Sequence, residues 1–195
     1  MSCITELITA GIPKDCDNAY ASIGSDKDLI LINYDDVDVA ATKDAGNREV
    51  DDSNNNEGGL TALILKTGKT LETDTFVFEG TDYSVVPSVV TEVKDDGDVW
   101  YVHNVLFTAY SKTAESRKVI EDLAGSRVVA VAKERSTGLS EVFGIDVGLK
   151  ILTVEREYVD SQDSNFYKVT LATPDKGIVR ESTIGELALT IAVTP

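Results

Sequence analysis

Short apolar runs alternate with polar turns along the chain at roughly eight- to twelve-residue intervals, the pattern of many short strands. Leu29-Ile30-Leu31-Ile32-Asn33-Tyr34 is apolar and partly β-branched, which predicts a buried strand ended by Asp35-Asp36. Residues 60–66 and 70–79 predict two strands meeting through a hairpin-type turn at Thr67-Gly68-Lys69. Residues 83–94 are valine-rich and carry Pro87, which predicts an edge or a bulge because proline has no N–H to give a ladder. Asp95-Asp96-Gly97-Asp98 turns the chain into a strand over 99–108. On that strand Trp100, Val102 and Asn104 should share one face, and Tyr101, His103, Val105 and Phe107 the other. These two strands read as the central ribbon.

One segment has helical spacing. Over 113–124, Ala114, Lys118, Val119, Ile120, Leu123 and Ala124 recur at that period without an internal Gly or Pro. Ser111 or Thr113 can cap its start, and Gly125 stands where a left-handed C-terminal cap belongs. The apolar stripe is narrow, so the helix should pack on a sheet by one face. Alternating strands follow over 127–135 and 139–146 around Ser136-Thr137-Gly138, then over 151–158, 165–173 and 184–193. The order of strands, one helix, then strands predicts a single β-rich domain over 1–195. Its expected class is mainly β: an antiparallel sandwich or barrel with one flanking helix at about 113–124.

Between residues 42 and 59 the pattern fails. Lys43-Asp44-Ala45-Gly46-Asn47, then Asp51-Asp52-Ser53-Asn54-Asn55-Asn56-Glu57 and Gly58-Gly59, offer almost nothing to bury. This predicts an extended polar loop, ordered only by a partner. Its polar positions include Asp44, Asn47, Asp51, Asp52, Asn54, Asn55, Asn56 and Glu57.

Composition then narrows the function. The 195 residues are 42% hydrophobic, enough for a core, but 34 acids against 18 bases leave a net charge of −16. That balance disfavours holding nucleic acid through phosphate neutralisation and disfavours docking on anionic lipid. The start, Met1-Ser2-Cys3-Ile4-Thr5, lacks the basic head and apolar stretch of a secretion signal, so synthesis in a cytoplasm is expected. Cys3 and Cys16 are the only cysteines and read as reduced thiols; whether they pair is left open.

Motifs of known chemistry fail at their required spacings. Gly68-Lys69-Thr70 resembles the tail of a phosphate loop, but Leu63 occupies the position of the first glycine, inside a strand. The Asp52–Asn56 stretch opens like a calcium loop, yet Glu57 stands at the sixth position and Leu63 at the twelfth. Asp35-Asp36 with Asp38, and Asp95-Asp96 with Asp98, read as turn carboxylates rather than acid–base pairs. His103 is the only imidazole, sits mid-strand and is expected to be a packed or surface histidine. No catalytic residue, cofactor site or metal site is expected, and the chain is not expected to be an enzyme.

Several stretches carry a resemblance. Cys3-Ile4-Thr5, Gly11-Ile12, Asp15-Cys16-Asp17 and Leu31-Ile32-Asn33-Tyr34-Asp35-Asp36 resemble small virion proteins of phages that infect Bacteroidetes-type bacteria. The same holds for the helix followed by Arg127-Val128-Val129-Ala130-Val131-Ala132-Lys133-Glu134-Arg135, Val142-Phe143-Gly144-Ile145-Asp146 and Gly148-Leu149. Such proteins are similar to tail-tube subunits and their ring and head-auxiliary relatives. The resemblance implies a bacteriophage virion structural protein without cofactor or catalysis. It implies a homo-oligomeric ring or tube, hexameric in the case of a tail tube, in contact with other virion proteins, and it makes Asp44, Asn47, Asp51, Asp52, Asn54, Asn55, Asn56 and Glu57 of the polar loop candidate inter-subunit contacts. DNA would pass through without specific binding, and no membrane is involved. A head-auxiliary, decoration or head–tail completion role stays open. So does a surface-recognition sandwich, with Trp100, Tyr101, Tyr83 and Tyr110 as stacking faces, although strand-core packing suits these aromatics better.

Overall fold

A computed structural model of the chain describes residues 25–45, 60–80, 84–93, 99–109, 113–134, 140–157, 166–174, 181 and 186–193. Its strands are β1 (Ser25–Asn33), β2 (Leu60–Leu65), β3 (Thr75–Glu79), β4 (Val85–Val93), β5 (Val99–Ala109), β6 (Val128–Glu134), β7 (Ser140–Phe143), β8 (Lys150–Glu157), β9 (Phe166–Ala172) and β10 (Glu186–Val193). They form a six-stranded sheet in the order β2-β10-β7-β6-β1-β3 and a four-stranded sheet in the order β4-β5-β9-β8. The pairings are antiparallel except β10 with β2, which run parallel. The fold is therefore mainly β, two facing sheets with a flanking helix, as the strand pattern predicts.

The apolar runs are continuous because the larger sheet is buried on both faces. Leu29 and Leu31 of β1, with Val128, Ala130 and Ala132 of β6, point into the core between the sheets. Ile32, Val129 and Val131, one residue out of step, enter a second core with Val37, Leu63, Leu65 and Ile145. The smaller sheet closes the first core with Val105 and Phe107 of β5 and Val169 and Leu171 of β9. The face assignment read for β5 holds: His103, Val105 and Phe107 are buried, while Trp100, Val102 and Asn104 are half-exposed.

The helix α3 (Ala114–Gly125) begins at Thr113, whose hydroxyl accepts the Ser116 amide at 3.1 Å. Only Ile120 and Leu123 are buried on it, the narrow stripe expected. Its end differs from the expectation. Gly125 has no left-handed backbone; instead Ser126, at φ −92°, closes the helix by donating its amide to the Leu123 carbonyl and its hydroxyl to that of Asp122.

Three further expectations are corrected. Residues 60–66 and 70–79 are not a hairpin: β2 and β3 lie at opposite edges of the six-stranded sheet. Between them Leu71–Asp74 forms a short helix, α2, because the Thr70 hydroxyl accepts the Thr73 amide and the Asp74 carboxylate reaches back to the Thr70 amide at 2.8 Å. The ribbon of β4 and β5 is also not central, since β4 is an edge, where Pro87 fits. Finally, the polar stretch begins later than expected. Val39–Ala45 is a helix, α1, whose start is capped by the Asp38 carboxylate accepting the Ala41 amide at 3.0 Å. Thr42 within it is fully buried, accepting the Ile64 amide at 3.0 Å and donating to the Asp38 carbonyl.

Candidate functional site

Of the candidate loop contacts, Asp44 lies in α1, and Asn47, Asp51, Asp52, Asn54, Asn55, Asn56 and Glu57 lie outside the described residues. So do Cys3, Cys16, Tyr83, Tyr110 and the Asp95-Asp96-Gly97-Asp98 turn. In the Asp35–Asp38 group, Asp36 and Asp38 are structural, whereas the Asp35 side chain is 91% exposed. Asp36 accepts from the Asn33 amide side chain at 3.2 Å and pairs with Lys69 at 2.8 Å, and Asp38 caps α1. Among the described residues, no group of three or more His, Cys, Asp or Glu is placed to hold a metal ion.

The densest polar constellation surrounds the turn Gly144-Ile145-Asp146-Val147-Gly148 after β7. Its backbone closes by a hydrogen bond from the Gly148 amide to the Gly144 carbonyl at 3.0 Å. The amides of Gly144, Asp146 and Val147 are held by side chains from elsewhere in the chain. The Gly144 amide donates to Nδ1 of His103 at 3.1 Å, and the imidazole packs edge-on against Phe143. The Asp146 and Val147 amides donate to the two carboxylate oxygens of Glu181 at 2.9 and 3.0 Å. Glu181 is fully buried, and its carbonyl accepts the Tyr101 amide, so it ties this turn to β5. From the other side, Lys43 of α1 pairs with the Asp146 carboxylate, and the Tyr34 hydroxyl donates to the Asp146 carbonyl at 2.6 Å.

Burial pushes the Glu181 carboxyl up to about 7; the two amides oppose that rise, the nearby Asp146 charge adds to it, and Lys43 opposes it. Burial likewise raises the Tyr34 phenol, against the pull of the Arg127 guanidinium stacked 4.0 Å over its ring. With both oxygens engaged and no exposed surface, Glu181 is a clamp between sheets rather than an acid that meets a substrate. Sequence reading missed it. Glu181 is 35 residues from Asp146 and belongs to no motif, so proximity is created only by the fold.

The turn needs glycine at its ends. Gly144 has φ +81°, and a Cβ there would lie 2.6 Å from Cγ of Leu149. Gly144→Ala is expected to lower the unfolding free energy by at least about 1–2 kcal/mol from the backbone alone, before the clash is counted. Urea unfolding checks this, and an unchanged midpoint would contradict the geometry.

Two apolar surfaces remain uncovered by the described residues. On the outer face of the smaller sheet, Val86 sits opposite Leu106 and Val90 opposite Val102, with Ser88 and Asn104 between them. Val86 is 47% and Val90 53% exposed. At the far edge of the larger sheet, Phe76 and Val77 of β3 are also exposed, beside clefts that run towards α3. Comparison of the chain with protein-family models, curated proteins and solved structures finds no match, so the surfaces and the clamp themselves are what bears on function.

Proposed function

We propose that this chain is a virion structural protein that packs with copies of itself into a ring or tube through which DNA passes. The observation that carries the reading is the apolar band on the outside of the four-stranded sheet. An antiparallel sheet normally gives its outer face to polar residues, whereas here Val86, Val90, Val102 and Leu106 form paired apolar positions across two strands. Such a band is satisfied by a neighbouring subunit. The resemblance to tail-tube subunits supplies the kind of particle and the ring. The net charge of −16 supports the passage of DNA, because a carboxylate-rich wall repels phosphate and does not retain it.

Sedimentation and negative-stain microscopy of the purified chain test this directly. Rings or tubes are expected, and a species that stays monomeric at high concentration overturns the reading. The double variant Val86→Asp/Val90→Asp places charges on positions already exposed in the subunit, so folding is retained. Its self-association is expected to weaken on the order of a hundredfold or more, given about 1.5–3 kcal/mol for each valine withdrawn from a contact.

A further inference from the structure

The sheet edges are not treated alike. Beside β2, Val37 bridges to Leu65 and α1 packs against the strand, with Thr42 bonded to the Ile64 main chain. β4 carries Pro87, and β8 carries an irregularity between Ile151 and Thr153 that breaks its register. Each is a device that discourages further strand pairing. β3, Thr75-Phe76-Val77-Phe78-Glu79, has no proline, no register break and no lysine, and Val77 is 55% exposed.

Among the described residues, the space alongside β3 is shaped as well as open. One cleft of about 290 Å³ is walled by Phe76 and Phe78 on the strand side and Val119 and Leu123 on the α3 side. An adjoining one of about 210 Å³ runs from Val77 and Phe78 to Ile120 and Tyr167. The charged side chains on these walls are Asp122 and Glu79, both acidic. A strand edge facing a helix across an apolar groove is the arrangement that takes up an extended peptide: main-chain bonds hold it, and alternate side chains fill the groove.

We infer that the β3 edge and its groove bind an extended strand of another protein, with apolar residues at alternate positions and Lys or Arg at its ends. Charge selects this occupant over a second copy. A copy offering its own β3 would bring Glu79 and Asp122 again and no cation on the groove walls, the nearest, Lys133, lying in the cleft beyond Val77, and would leave the acids unmatched within a chain that already carries −16. The inference is independent of the ring, which rests on the opposite sheet.

The test uses the whole chain labelled for NMR and the peptide acetyl-Lys-Val-Thr-Val-Thr-Val-Lys-amide, with its Glu-ended counterpart as control. Shifts are expected at the amides of β3 and α3. Binding of the Lys-ended peptide should be about five- to tenfold tighter than that of the Glu-ended one, and weaker at high salt. The exposed double variant Glu79→Lys/Asp122→Lys should reverse the preference. Absence of shifts at millimolar peptide, shifts elsewhere, or equal binding of both peptides overturns the inference. So do β3 shifts that follow the protein's own concentration, which would assign the edge to a second copy. Slow hydrogen exchange along the whole of β3 in the free protein overturns it too, since the edge would already be taken.

Discussion

Phe107→Ala is expected to cost about 3–5 kcal/mol of unfolding free energy, the usual penalty for emptying a phenylalanine site that cannot collapse. Phe107 is 1% exposed at the centre of the core between the two sheets. Its ring meets Phe78 edge-on at 5.1 Å between centroids, so it joins β5 of the smaller sheet to β3 of the larger. Loss of the ring leaves both sheets facing a void, and each is too well braced by its own ladders to move in. Urea unfolding followed through Trp100, the chain's one tryptophan and on the same strand, reads the change. Phe107→Leu retains much of the volume and should recover most of the loss. A deficit below about 1 kcal/mol for the alanine variant would mean that the sheets do not share this core.

Glu181 gives the second large effect, and it has a sign. Its carboxyl titrates at about 7 in the folded chain against an ordinary 4.5. Between those values the folded state binds a proton that the unfolded state has released, so stability falls as pH rises. The contribution is fully present below about pH 4.5 and is lost as pH passes through 7. At about 1.4 kcal/mol per pH unit, the interval corresponds to about 3 kcal/mol. Glu181→Gln, neutral throughout, should flatten the stability profile between pH 4.5 and 7.5 relative to the parent. The variant carries its own constant cost, because its amide group can accept from only one of the Asp146 and Val147 amides. The difference between the two profiles is therefore the informative quantity, since other carboxylates titrate alike in both. Parallel profiles would show that Glu181 is ionised without penalty.

The clamp and the apolar band differ in how far they could be read beforehand. The band was partly legible: alternation on 99–108 placed Val102 with Trp100 and Asn104 on one face, and Pro87 marked its partner as an edge or a bulge, although the pair read as a central ribbon. What alternation could not say is whether that face meets another layer. For β1 and β6 both faces do, and for β4 and β5 only one does. The clamp was not legible at all, because Glu181, His103 and Lys43 come from three separated segments that converge on one five-residue turn.

Local chemistry by itself determined the strand-rich class, the flanking helix at Ala114–Gly125, the capping of that helix by Thr113 and the acidic balance. These depend on residue type, on period and on near neighbours, which the chain carries wherever it folds. Tertiary structure alone decided that β2 and β3 part to opposite edges, that 39–45 is helical and that β10 joins β2 in parallel. It also decided that a carboxylate is buried between the sheets and that, among the described residues, β3 is an edge without a pairing defence. The reason is physical: strand partners and buried polar groups are selected by contacts between residues far apart in the chain. Their energies exist only once both sheets have closed on a common core.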